Sequence, residues 1–333
     1  MITLQHDFIN LLKLKAKPNV SFADEIARML NISVDSAYRR IRCETDLSLN
    51  EAKLLADYYK VSLQNLFMPQ QRDFGFVYRA FDRKTLSFER YLTSIIEDLK
   101  SIRDADEKSI IYCAKDIPIF HHFQVPELAA FKIFYWMKEV LQLSKYKNTV
   151  FSESLIDDKF IEMGQKAKHL YAALPSIEIW TEETVHSTLK QLFYFHKNQL
   201  ISNTALTVKL FEALNNVISK IAEQSKQEYK VLNHADSKKG GTYQLYLSKM
   251  PVSNNTIFVN TDNTFSTYIT HNTLNVLMTS NPEFCRETQF YTSNLINNST
   301  VLNQKHATEH HDFFNLILKT INHYKNQIIS KHQ

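Results

Sequence analysis

Residues 26–41 read Ile26-Ala27-Arg28-Met29-Leu30-Asn31-Ile32-Ser33-Val34-Asp35-Ser36-Ala37-Tyr38-Arg39-Arg40-Ile41. Apolar residues recur at helical spacing on both sides of Asn31, a residue type that tolerates the left-handed backbone of a tight turn. Ser33 is a favourable N-cap for a helix that follows the turn. The stretch therefore predicts two short helices, the second of which buries Ala37 and Ile41 and exposes a polar and charged outer face.

Helical signals continue on both sides of this stretch. Residues 2–16 place apolar side chains on one helical face, and Ser21 is an N-cap candidate for the helix that leads into the turn. The segment 48–51 has the form of a capping box for a fourth helix, and Ser62 precedes a short fifth helix that closes with Leu66 and Phe67. The sequence thus predicts an all-α domain of five helices over residues 1–67.

Three motifs in this region occur together and in order. They are the Ile-Ala…Leu-Asn-Ile-Ser turn, the Arg-Arg-Ile end of the third helix, and the tail Leu-Ala-Asp-Tyr-Tyr-Lys-Val-Ser-Leu-Gln-Asn-Leu-Phe. With them, residues 20–67 resemble the five-helix DNA-binding domain of the lambda-repressor-like helix-turn-helix family. The sequence departs from the commonest family pattern at Asn31 and Cys43. The resemblance implies a sequence-specific transcriptional regulator that binds double-stranded DNA as a homodimer, on half-sites about one helical turn apart.

The same resemblance implies two sets of DNA contacts. Base edges would be read by Val34, Asp35, Ser36, Tyr38 and Arg39. Phosphates would be held by Ser21, Ser33, Arg40, Arg42 and Thr45. In this scheme Arg39 pairs with guanine N7 and O6, Asp35 accepts from a cytosine amino group, and Val34 meets a thymine methyl. The competing interpretation of these residues is an ordinary solvated helix face.

Charge constrains this interpretation. The whole chain of 333 residues carries a net charge of +4. Residues 1–67 hold nine Lys and Arg against eight Asp and Glu, so DNA binding would depend on where the charges lie. The near neutrality keeps an alternative open, in which the chain is a protein-interaction adaptor whose helix-turn-helix domain does not read DNA.

The composition argues against several other classes of protein. Cys43, Cys113 and Cys285 are too far apart for a zinc motif and odd in number, which favours reduced thiols and a cytoplasmic location. The sequence shows no signal peptide and no apolar run of about 18 residues, so we expect no membrane contact.

No enzymatic signature emerges from the sequence either. We expect no cofactor, no metal and no catalytic site, because triads, paired carboxylates and glycine-rich loops are missing. His306-Ala307-Thr308-Glu309-His310 matches a metalloprotease pattern but has only one acid after it. The pair Gly240-Gly241 is interpreted as a turn.

The rest of the chain predicts a larger domain. A polar linker over 68–84 precedes an α+β domain over 85–333 that senses a signal, dimerises, or both. Helical periodicity dominates 85–226, and alternating segments after residue 241 predict a small antiparallel sheet. A division into a helical part, 85–226, and an α+β part, 227–333, is an open alternative.

Three residues of this domain are candidate ligands for an unknown small-molecule effector. His121 and His122 lie among aromatic residues, and Arg286 lies in the first turns of a predicted helix. The competing interpretations are a buried, hydrogen-bonded histidine pair and a solvent-facing arginine.

Overall fold

The computed structural model describes residues 4–16, 20–59, 61, 63, 75–79, 88–233 and 238–330. Contacts divide the chain into two units, residues 1–75 and 76–333. The described ranges contain no helix that is both long and apolar enough to cross a membrane.

The first unit is helical. Its described helices are α1 (Leu4–Lys13), α2 (Phe22–Leu30), α3 (Val34–Ile41) and α4 (Leu49–Tyr59). Their apolar faces meet in one small core, whose fully buried side chains include Leu12, Ile26, Ala37 and Leu55. The predicted fifth helix, with Ser62, Leu66 and Phe67, lies outside the described residues.

The second unit is built on a nine-stranded mixed sheet. The strands are β1 (Val77–Arg79), β2 (Lys108–Cys113), β3 (Ser176–Trp180), β4 (Tyr229–Asn233), β5 (Lys238–Ser248), β6 (Thr256–Thr261), β7 (Thr264–His271), β8 (Asn275–Thr279) and β9 (Ser299–Val301). Their order is β1-β8-β7-β6-β2-β3-β5-β4, and β9 also pairs with β5. β3 runs parallel to both of its neighbours, β2 and β5, whereas the other pairings are antiparallel.

Helices cover both faces of this sheet. They are α5 (Phe88–Arg103), α6 (Ile119–His122), α7 (Pro126–Tyr135), α8 (Asp158–Ala173), α9 (His186–Lys197), α10 (Thr204–Gln227), α11 (Pro282–Asn297) and α12 (Ala307–Ile329). Along β2, Ile110 and Tyr112 join a large core beneath most of the helices. Cys113 belongs to a small cluster on the opposite face, together with Leu295 of α11. The alternation follows from the two-residue period of a strand.

This architecture corrects three expectations. The sheet is mixed and large, not small and antiparallel. A boundary at residue 226 is wrong, because β3 from before it pairs with β5 from after it. The predicted linker over 68–84 contains β1, which pairs with β8.

A buried carboxylate lies at the centre of the sheet. Glu178 of β3 is 0% exposed and accepts hydrogen bonds from Tyr171, Trp180 and Tyr243, at 2.7, 2.9 and 3.1 Å. His121 Nε2 lies 2.9 Å from its Oε1. Burial raises the pKa of Glu178, but the attraction and hydrogen bonding of His121 and the Tyr171 hydroxyl outweigh it and leave the pKa below its usual value.

The pair Gly240-Gly241 is not a turn but lies inside β5, where it packs against the end of α8 and the chain after it. A Cβ atom on Gly240 would lie 2.1 Å from the Ala172 carbonyl oxygen, and one on Gly241 would lie 2.3 Å from the Leu174 carbonyl carbon. Glycine is needed here because backbone approaches backbone, not because of a special dihedral angle.

We predict that Gly241→Ala lowers the free energy of unfolding of the second unit by about 1–3 kcal/mol. The added methyl group would clash with backbone atoms, which cannot rotate out of the way as a side chain can. The measurement is urea unfolding of the full chain followed by tryptophan fluorescence. Thr242→Ala, at the exposed neighbouring position, is the matched control and should change little. Equal stability of the two variants would contradict the close-approach argument.

Candidate functional site

The predicted reading face is the exposed side of α3. Val34, Asp35, Tyr38 and Arg39 are exposed, whereas Ala37 on the opposite side is fully buried. The exposed side chains repeat at the one-turn spacing that groups them on one side of a helix. Ser36 is half-buried, and its Oγ lies 2.9 Å from Ser33 Oγ.

The turn that presents this helix is built as the sequence predicted. Asn31 adopts a left-handed backbone, with φ of 54°, and ends α2. Ser33 caps α3 by accepting a hydrogen bond from the Ser36 amide, and Ser21 caps α2 in the same way. Both caps satisfy amides that a helix leaves without partners, so the start of α3 is fixed by local chemistry.

Arginine charge on this surface is compensated by nearby acids. Arg39 lies 3.2 Å from Asp35, and Arg42 lies 2.8 Å from Glu44, with all four side chains at least half exposed. Exposed pairs of this kind contribute only about 0.2–1 kcal/mol. The Arg39–Asp35 pair is therefore weak enough for Arg39 to exchange Asp35 for another partner.

Arg40 has a different environment. Its guanidinium donates to Glu51 of α4 at 2.9 Å and to the Ser36 carbonyl oxygen at 3.3 Å. The side chains of Arg40 and Glu51 are 17% and 22% exposed. Arg40, predicted above as a phosphate contact, links α3 to α4 in this structure.

The loop after α3 is fixed by a residue that the sequence did not single out. Gln5 of α1 donates to the carbonyl oxygens of Arg40 and Thr45, both at 2.9 Å, and accepts from the Leu47 amide. Thr45 itself is exposed, as expected of a phosphate contact. A lone glutamine on a helix gives no sequence signal for such long-range bonds.

A buried acid was also missed. Glu25 of α2 is 2% exposed and accepts hydrogen bonds from the hydroxyl groups of Tyr58 and Tyr59, each at 2.7 Å. Burial, together with the bond to Glu25, raises the pKa of Tyr59. The sequence feature that points to such an acid is the Tyr58-Tyr59 pair after Leu55, because a buried tyrosine hydroxyl group usually has a hydrogen-bond partner.

The candidate effector ligands do not form one site. His121 and His122 are both buried in α6, but His121 bonds Glu178 whereas His122 Nε2 lies 3.0 Å from Thr188 Oγ1. Arg286 is exposed on α11, which packs against the opposite face of the sheet. The structure therefore separates Arg286 from the histidine pair.

The metalloprotease-like motif also has a structural explanation. His310 donates to the Ala222 carbonyl oxygen at 2.9 Å and thereby links α12 to α10. The described part of the chain holds no group of three or more His, Cys, Asp or Glu residues placed to bind a metal ion.

No protein-family model matches the chain, and comparisons with curated proteins and with solved structures likewise gave no match. The resemblance to the lambda-repressor-like family therefore depends on the motif itself and on the geometry around it. That geometry consists of the left-handed Asn31, the two serine caps and the polar outer face of α3.

We predict that Glu51→Gln reduces the acid sensitivity of the first unit. Burial raises the pKa of Glu51, but bonds from Ser48 and Arg40 outweigh it and hold the pKa below its usual value. A depressed native pKa gives stability that is present above the unfolded value of about 4.3 and is lost as the pH falls through the native value. The free energy of unfolding of the wild type should therefore decrease as the pH is lowered through this window, and that of the variant should decrease less steeply.

Urea unfolding of the full chain at several pH values tests this. Circular dichroism reports both units, whereas fluorescence of Trp136 and Trp180 reports only the second, so their difference isolates the first. Asp57→Asn, which breaks the exposed pair of Asp57 with Lys53, is the matched control and should keep the wild-type slope. Identical slopes in wild type and Glu51→Gln would refute the coupling.

Proposed function

We propose that this chain is a cytoplasmic, non-enzymatic transcriptional regulator that recognises a specific DNA sequence through α3. The single observation that carries the proposal is the construction of α3: capped at Ser33, buried along Ala37, and exposed along Val34, Asp35, Tyr38 and Arg39. A helix held this way after a tight turn is the arrangement that places side chains in a major groove.

The proposed base readers have complementary chemistry. Arg39 supplies the planar donor pair that matches guanine N7 and O6. Asp35, released from Arg39 by that contact, accepts from a cytosine amino group, and Val34 packs on a thymine methyl. Tyr38 and Ser36 complete the face. Ser36 is half-buried, and its hydroxyl group lies beside that of Ser33.

Phosphate contacts are proposed for exposed residues at the edges of this face. These are Ser21, Ser33, Arg42 and Thr45, each of which is exposed. Arg40 stays a predicted phosphate contact, although three of its five N–H donors already bond Glu51 and Ser36. With so few cations, affinity depends on base contacts and on two copies binding together more than on bulk charge.

We propose a homodimer on this basis. Two-fold symmetric dimers are the commonest oligomers of soluble proteins, and helix-turn-helix dimers bind half-sites about one helical turn apart. The second unit, with its own large core, would supply dimerisation, effector sensing, or both.

We predict that Arg39→Ala weakens binding to the preferred site by about 5- to 150-fold, equivalent to about 1–3 kcal/mol, and relaxes the preference at one base pair. The preferred site is first selected from a randomised duplex library with the full chain. Binding is then measured by fluorescence anisotropy over a range of salt concentrations. The logarithm of Kd should rise with the logarithm of salt by about 0.9 per phosphate contact.

The matched control removes an exposed arginine from the other unit. Arg103→Ala breaks a surface pair with Asp104 and should bind DNA like the wild type. A selection that enriches no sequence, with weak binding that is the same in Arg39→Ala, would support the adaptor alternative instead.

A further inference from the structure

A cavity of about 130 Å³ lies between α5 and the sheet. Most of its wall is apolar and comes from both layers, including Ile95, Leu99, Tyr112, Val259 and Leu274. An engineered apolar cavity of about 150 Å³ in another protein stays dry and binds benzene. This apolar chamber therefore has the size and lining for one benzene-sized group.

A second, polar cavity of about 570 Å³ adjoins the chamber. The two cavities share the lining residues Tyr91, Tyr112, Ile119, Thr270 and Leu274. Ionisable residues around the polar cavity include three lysines, Lys115, Lys132 and Lys190, against two acids, Asp116 and Glu183. An excess of cations beside an apolar chamber suits a ligand with an anionic end and an apolar end.

Lys132 and His122 are the buried polar groups of this cavity, each 1% exposed. Lys132 Nζ donates to Gln191 Oε1 at 2.8 Å and to Thr188 Oγ1 at 3.3 Å, whereas Asp116, at 3.9 Å, is beyond hydrogen-bond distance. An ammonium group has three donors, so one remains for a ligand.

His122 is the second buried polar side chain of this cavity. Its Nε2 lies 3.0 Å from Thr188 Oγ1, and its Nδ1 has no hydrogen-bond partner in the described residues. Burial, with the nearby Lys132 charge, lowers the pKa of His122 well below its usual value, so the ring is neutral.

We propose that the two cavities together bind a small aryl carboxylate, with its ring in the apolar chamber and its carboxylate at Lys132. A carboxylate accepts the remaining Lys132 donor in a charge-assisted hydrogen bond, which is stronger than a bond between neutral groups. A small aryl carboxylate would be the effector of the proposed sensing role. Binding of this ligand depends on the proposed function only in its expected effect on DNA affinity. Ligand binding is tested without DNA, so failure of one proposal is distinguishable from failure of the other.

The probes are benzoate, phenylacetate, 3-phenylpropionate and 4-phenylbutyrate, titrated into the full chain by calorimetry. We expect saturable binding of at least one acid. Its affinity should fall at least about tenfold in Lys132→Met, because a hydrogen bond to a charged group is lost. The alcohol 3-phenylpropan-1-ol should bind at least about tenfold more weakly than 3-phenylpropionate.

Two further variants keep the test decisive. Ile95→Phe fills part of the chamber and should abolish binding even if Lys132→Met does not fold. Lys138→Met removes a half-buried lysine that lines neither cavity, and should leave affinity unchanged. Lack of binding by all four acids, or equal affinity for acid and alcohol, would overturn the proposal.

Discussion

The second unit depends on the burial of one carboxylate. An isolated buried charge costs several kcal/mol, so Glu178 is tolerated only because four side chains from α6, α8, β3 and β5 converge on it. That requirement sets the position of α6 against the sheet. His122 is the next residue after His121, so the same bond that satisfies Glu178 also places the histidine that lines the polar cavity.

The first unit uses electrostatics in two separate ways. Pairs that join helices are shielded from solvent, as Arg40–Glu51 and the Tyr59 bond to Glu25 show. Pairs on the outer face of α3 are exposed and local, as Arg39–Asp35 shows. Shielded pairs hold the shape of the helices, and exposed pairs are weak enough to exchange for another partner. The first unit therefore presents the polar outer face of α3 on a rigid helical support, without a large excess of positive charge.

Local chemistry explains what could be predicted from the sequence. Asn31 and the caps at Ser21, Ser33 and Ser48 act within a few residues, and all four were predicted. β3 pairs in parallel with β2 and β5, which lie far from it in the chain. The charged Glu178 at the centre of β3 interrupts the continuous apolar run that is typical of a buried strand. The pair Gly240-Gly241 has the sequence pattern of a turn. In the structure, the two glycines are needed because β5 packs closely against α8 and the chain after it. Of the candidate site, the exposed outer face of α3 was predicted, whereas the bonds of Gln5 and Glu25 act at long range and were not.

The order of strands in the sheet has a consequence for synthesis on the ribosome. β2 pairs with β6, whose first residue, Thr256, emerges 143 residues after Cys113. At about 5–20 residues per second, β2 waits roughly 7–30 s for that partner. The first unit is complete by Gly75, before β2 begins at Lys108. β3 pairs with the other edge of β2 and emerges earlier, from Ser176. Each nascent chain therefore carries β2 with one edge unpaired until β6 is made, and an exposed strand edge of this kind is prone to aggregation.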